Sequence, residues 1–226
     1  MMATKRVYTV KRIYDEILSV HIVPYLCRLG FEKRGRYTMF YKDTNDTVYR
    51  VAVGFRKVAG LDEGWLLITV GVGFRSLAEF LAPCQVALVR DVKLPCAMAT
   101  DLGHLHPPYR FGERHLSADT RAEQVGKEVI AELEQYGKAF FESYGTLEKV
   151  LAAWEAGTWF NLGAHADFYM AAAYWLRGER ARAIEFVRGR ITHYDELYKE
   201  KERNPDLNLR IQREELLGFL LKGTKG

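Results

Sequence analysis

The sequence predicts an α+β protein: an antiparallel sheet of four or five strands with helices packed on one face, followed by a C-terminal helical appendix. Three observations predict it. Apolar residues between Thr9 and Leu29 recur mostly at helical spacing. From Tyr37 to Phe74 they alternate, or run continuously, between turn clusters. The second half then returns to helical spacing, and a composition shift after Gly157 separates residues 1–157, the α+β domain, from residues 158–226, the appendix expected to pack on it.

In the first helix Val10, Ile13, Ile17, Leu18 and Val20 carry the apolar pattern, Thr9 is the expected N-cap, and Pro24 predicts a kink or two shorter helices meeting near Val23. Cys27 lies in this apolar helix and reads as a small buried hydrophobe. Gly30 supplies the left-handed residue that closes the helix. A three-strand meander follows: Tyr37 to Lys42, a turn at Asp43-Thr44-Asn45-Asp46, then Tyr49, Val51, Val53 and Phe55 alternating with their neighbours. Trp65 to Phe74 is apolar on both sides, as a central strand would be, and Gly71 and Gly73 predict a close approach by the first helix. Ser76 to Leu81 reads as a helical turn broken by Pro83. Residues 84–117 are loop-rich, with strands expected at Val86 to Val92 and Arg110 to Leu116.

A long helix is then predicted from Ser117 to Ser143, its inward stripe Val125, Val129, Leu133, Tyr136 and Phe140. A short helix from Leu147 to Trp154 ends at Gly157. In the appendix, Tyr174, Gly178, Glu179 and Ala183 fall at the offsets of one tetratricopeptide helical hairpin, to which this segment is weakly similar. Arg190 stands where that pattern wants a small residue and Asp195 where it often has proline, and a solenoid needs about three units. A third helix is expected from Asn208 to Leu221.

Composition narrows the function classes. The chain has 226 residues, 48% hydrophobic and 27% charged, with a net charge of +4. That is ordinary for a globular protein and short of the concentrated basic face that nucleic-acid binding favours. The three cysteines, Cys27, Cys84 and Cys96, imply no disulfide framework, no segment reaches the ~20 apolar residues that span a bilayer, and the charged N-terminus is unlike a secretory signal. A cytoplasmic protein without membrane contact is the expectation.

The junction Leu29-Gly30-Phe31-Glu32-Lys33-Arg34-Gly35-Arg36-Tyr37 resembles the L-G-F-x-K-x-G-R-x-aromatic hallmark of an uncharacterised bacterial family known as a domain of unknown function. The resemblance covers roughly residues 8–155 and implies a fold neighbourhood without chemistry. Small bacterial proteins similar to that family include immunity-like partners of toxins, although this basic balance is unlike the acidic immunity proteins that mimic a nuclease's substrate.

No catalytic set is legible. There is no G-x-S-x-G elbow, Gly71-Val72-Gly73 lacks the rest of a phosphate cradle, and the carboxylate pairs Asp62-Glu63 and Glu214-Glu215 read as solvated. His104-x-His106, with His115 as a third ligand, has metal-compatible spacing, but the same residues serve equally as hydrogen-bonding loop histidines. The most credible binding surface is the basic, aromatic set Lys33, Arg34, Arg36, Tyr37, Tyr41, Arg50 and Arg56, together with the uncovered sheet face. Arginine forks beside rings can grip phosphates, or can simply solvate a tight turn. The reading is a non-catalytic protein-binding module without cofactor, an immunity-like or regulatory partner of another bacterial protein. The alternative is a nucleic-acid-associated protein using Lys33 to Arg36.

Overall fold

The structure, a computed structural model, describes residues 9–34, 38–84, 96–107, 113–158, 166–201 and 207–223. The chain forms two compact units, residues 1–72 with 99–145, and residues 73–98 with 146–226. The sequence-based boundary at residue 157 does not follow this grouping. The helix Arg75–Leu81 joins the second unit because Phe80 packs on Trp175 and Phe219, with ring centroids 6.0 and 5.4 Å away.

The first unit opens with helix α1 (Val10–Glu16), a π-helical segment (Ile17–Ile22) and α2 (Val23–Arg28). Pro24 has no N–H to donate and crowds the carbonyl four residues before it. The helix runs through it, with the turn ahead of it widened to π geometry. The extra residue in that wide turn shows in the burial pattern. Ile17 and Ile22 are both fully buried although five residues apart, while Val20, expected in the apolar stripe, is 58% exposed. Cys27 corrects the sequence reading too: it is exposed, one position past the inward pair Tyr25 and Leu26. Thr9 sits at the N-cap but its side chain makes no capping bond. The Val10 N–H instead donates to Asp62 Oδ1 at 3.1 Å, a carboxylate placed at the positive end of the helix.

Gly30 ends this helix with φ 82°. Its N–H donates to the Cys27 carbonyl and the Phe31 N–H reaches back to that of Leu26, both at 3.0 Å, the paired bonds of a Schellman turn. Phe31 is thereby buried, 6.0 Å from the Phe141 ring.

The sheet is antiparallel and, with the helices, makes an α+β fold. Among the described residues it has six strands, where four or five were expected: β1 (Glu32–Lys33), β2 (Met39–Thr44), β3 (Thr47–Lys57), β4 (Gly64–Phe74), β5 (Met98–Asp101) and β6 (Glu113–Leu116). Two of them were not expected: β5, and β1, two residues paired as Glu32 with Tyr41 and Lys33 with Phe40. β5 and β6 both pair with β4. The strand expected at Val86 to Val92 lies outside the described residues. Phe40, Val51, Val53, Leu66, Ile68 and Val70 are buried on one face, where Tyr14 stacks on Phe55 at 4.7 Å.

The long helix begins at Ala122, later than the expected Ser117, and comprises α4 (Ala122–Glu132), a second π segment (Leu133–Gly137) and α5 (Lys138–Tyr144). Close approach is seen at glycines on this helix. A Cβ on Gly126 would lie 2.5 Å from the His21 ring, so backbone meets side chain where the two helices touch. Gly137 faces Leu133 and Val70.

In the second unit, α3 (Arg75–Leu81) and α6 (Leu147–Glu155) accompany the predicted hairpin of α7 (Ala166–Leu176) and α8 (Arg180–Lys201), closed by α9 (Leu207–Gly223). Gly178, at φ 82°, repeats the Schellman turn: Glu179 N–H to Tyr174 and Gly178 N–H to Trp175, both 2.9 Å. Arg190, out of place in a tetratricopeptide pattern, has a partner: its Nε lies 2.9 Å from Asp167 Oδ1 as an ion pair, without the alignment of a hydrogen bond. Arg213, only 1% exposed, donates through Nε (3.2 Å) and an Nη (2.7 Å) to the other oxygen of Asp167 and lies 3.9 Å from the Tyr194 ring centre.

Two stability predictions follow from this wiring. Gly30→Val should cost about 1–3 kcal/mol, because a β-branched residue resists a positive φ, and Phe31→Ala about 3 kcal/mol for a buried ring. Arg34→Ala should cost less than about 1 kcal/mol, as a half-exposed ion pair does. Denaturant melts of the three variants check the ranking, and an Arg34 effect equal to that of Phe31 would make the basic junction part of the core. Asp167→Ala should cost about 3–5 kcal/mol by stranding a buried guanidinium, and the double variant Asp167→Leu/Arg213→Met should regain most of it. A double variant no more stable than the single one would refute the pairing argument.

Candidate functional site

Two surfaces of the first unit gather residues that could bind something, and strand register decides which side chain belongs to which. Asn45 takes φ 44° in the two-residue loop between Thr44 and Thr47, as tight hairpins require at their first loop position. That loop fixes the pairs Tyr41–Arg50 and Lys42–Tyr49. Side chains alternate faces, so Tyr41 and Arg50 point away from the helices while Lys42 and Tyr49 point toward them.

The face away from the helices continues across β4 and β6. Trp65 pairs with His115 and Leu67 with Glu113, and the Trp65 and His115 rings are 5.0 Å apart. Met39, Tyr41, Arg50, Trp65 and Leu67 are half-buried, Arg56 and His115 exposed. The cations here are mostly matched. Arg34 lies 2.6 Å from Asp43, 3.6 Å from Glu32 and 5.6 Å from the Tyr41 ring centre. The hydrogen bond to Asp43 holds its guanidinium above the usual arginine range. Arg56 pairs with Glu113 at 2.8 Å and His115 with Glu63 at 3.0 Å. Arg50 differs: its Nε is buried without a hydrogen-bond partner among the described residues. Glu63 and Asp62 are thus engaged rather than solvated.

Of the binding residues expected from sequence, Arg34, Tyr41, Arg50 and Arg56 share this face. Lys33, opposite Phe40, sits at a register position of the other face, and Arg36 and Tyr37 lie outside the described residues. Trp65, Leu67 and Met39 were missed because an apolar strand is read from its alternation alone, which does not say which face the helices of the unit cover.

The second surface is a cleft of about 570 Å³ on the helix side. It is walled by Tyr25, Leu26, Phe31, Val51, Leu133 and Phe141, with Leu29 and Tyr49 beside them and Lys42, Glu134, Lys138 and Glu142 as its charged lining. Burial, and secondarily the charge of Glu134, pushes the Tyr25 hydroxyl above its ordinary range.

The histidines have separate environments. His104 lies in a 3₁₀ turn (Leu102–Leu105), His106 packs on Tyr136 with ring centroids 4.9 Å apart, and His115 stands by Trp65. Among the described residues no three His, Cys, Asp or Glu side chains are gathered to hold a metal.

In the second unit a smaller cavity of about 430 Å³ is lined by Cys84, Glu215 and Lys222. Burial, helped by Glu215, pushes the Cys84 thiol up to about 11, which leaves it protonated and poorly nucleophilic.

No known protein family, no curated protein and no solved structure matches this chain.

Thiol labelling checks the assignment of Cys84. At pH 8 the exposed Cys27 should react with a thiol reagent while Cys84 stays protected until unfolding. Because the folded pKa lies above the ordinary 9.0, the folded protein holds more protons between pH 9 and 11. The contribution of Cys84 is therefore complete below pH 9 and lost as pH rises through 11. Tyr174, pushed to about 12 chiefly by burial, adds a loss in the same direction above pH 10. Stability that rises between pH 9 and 11 would contradict both.

Proposed function

We propose that the protein is a non-catalytic binding module that docks another protein on the sheet face bearing Tyr41, Arg50, Trp65 and Leu67. The observation that supports this reading is charge balance. Arg34, Arg56 and His115 each stand beside a carboxylate, so the face offers aromatic and apolar area rather than a positive field. Half-buried aromatic side chains with an arginine among them are the composition of protein interfaces, where Tyr, Trp and Arg contribute most of the binding energy. Arg50 would meet a carboxylate of the partner. The resemblance at Leu29 to Tyr37 suggests an immunity-like or regulatory role toward another bacterial protein. Among the described residues no helix is long and apolar enough to cross a membrane, and cysteines that form no disulfide support a cytoplasmic setting.

Arg50 beside Tyr41 also favours a second reading, in which a single-stranded nucleic acid lays a phosphate on the guanidinium and bases on Tyr41 and Trp65. Labelled oligonucleotides titrated at low and physiological salt separate the two. The protein-docking reading expects no binding at either salt, whereas salt-sensitive binding that Arg50→Ala removes would replace it with the nucleic-acid reading. Affinity capture from the host should retain a specific protein on the wild type and lose it on Tyr41→Ala/Trp65→Ala. Capture unchanged by that pair would remove the sheet face from the proposal.

A further inference from the structure

The helix-side cleft carries a chemistry that the sheet-face reading does not use. Its volume of about 570 Å³ falls within the range of small-ligand sites, and its walls are the aromatic and aliphatic side chains such sites favour. The four charged side chains in its lining are not equivalent. Glu134 and Glu142 occupy exposed helix positions. Lys138, also exposed, stands 3.8 Å from Glu142. Lys42 is half-buried, its stem laid across the Gly30 turn with Cε 3.9 Å from the position a Cβ would take there. Among the described residues Lys42 has no carboxylate partner. An ammonium with no carboxylate within ion-pair distance can take an anion brought to it in a charge-assisted bond.

A second observation marks the opposite wall. Leu133 and Glu134 enter the cleft from the π segment Leu133–Gly137. Such one-turn widenings inside α-helices cost hydrogen-bond geometry and recur at functional sites. Tyr25, in the same lining, carries a hydroxyl that can donate.

We propose that this cleft binds an amphipathic monocarboxylate, with its hydrocarbon or aromatic body against Leu26, Phe31, Val51, Leu133 and Phe141 and its carboxylate on Lys42 Nζ. The body gains by leaving water and sets no strict shape, since the walls are flat rings and branched aliphatics. The head sets the sign. A cation of the same body would place its charge against Lys42, and a neutral alcohol would forgo the charge-assisted bond.

The test uses the full chain and three probes of one chain length: decanoate, decanol and decyltrimethylammonium. Each is titrated while methyl resonances of Leu26, Val51 and Leu133 are followed by NMR. Decanoate should shift these methyls with an affinity at least about tenfold above the other two, the discrimination expected of one charge-assisted contact. Lys42→Met should erase that preference while decanol still binds, and Lys42→Arg should retain it. The proposal is overturned if decanoate leaves the methyls unmoved at about 1 mM, the weak limit of useful affinity, if the three probes bind the wild type equally, or if Lys42→Met keeps the preference. Should Lys42→Met fail to fold, the ranking of the three probes on the wild type decides alone. None of these outcomes depends on the sheet face, which lies on the other side of the same strands.

Discussion

The two hydrogen bonds that close the first helix, from Phe31 to Leu26 and from Gly30 to Cys27, reverse the chain, and much of the first unit is arranged around that reversal. They deliver Phe31 inward at the moment β1 begins, so that the ring reaches Phe141 and the edge strand starts beside the helix it has just left. Only a residue comfortable at positive φ permits both bonds at once. The same turn exposes Leu29 on one side and supports the stem of Lys42 on the other. A cap that would be a local detail in a longer helix here fixes an edge strand, a core ring and one wall of a cleft.

Contact between the two long helices depends on a different economy of space. Gly126 lets the His21 side chain lie directly on backbone, and each helix carries one π segment. In the first, the widened turn re-phases the apolar stripe, so that residues up to Ile17 and residues from Ile22 face one core despite the proline between them and Arg28. In the second, it turns Leu133 inward as a buried wall residue while Glu134 stays exposed at the rim. Helix irregularity thus serves packing in one case and lines a cavity in the other.

How much of this is legible in the sequence depends on how far apart the partners lie. The closure at Gly30, the period-two strand from Tyr49 to Phe55 and the hairpin around Gly178 rest on neighbours within a few residues, and those readings describe the structure well. The N-cap of the first helix comes from Asp62, 52 residues away, and the carboxylate that satisfies Arg213 is 46 residues from it. No local pattern announces such pairs. The strand Glu32–Lys33 is too short to show a period at all. Cys27 reads as buried because it lies in an apolar helix, but the inward positions of its turn are taken by Tyr25 and Leu26 and its own side chain is exposed. The cleft draws on four separated stretches, so only the side chains, not their assembly, could be named in advance.

The hairpin at Asn45 has one more consequence. Because Tyr41 and Lys42 are adjacent, and Arg50 and Tyr49 likewise, the two proposed binding surfaces are interleaved on the same pair of strands. Shifting that pairing by a single residue would turn one strand over relative to the other, so that Lys42 and Arg50 would share a face instead of lying on opposite ones. The two-residue loop therefore acts as a chemical address: its length, more than the identity of any residue on the strands, decides which surface receives which charge. A lineage could vary many of the lining residues one by one and keep both surfaces. A one-residue insertion between Thr44 and Thr47 that slipped the pairing would scramble both together.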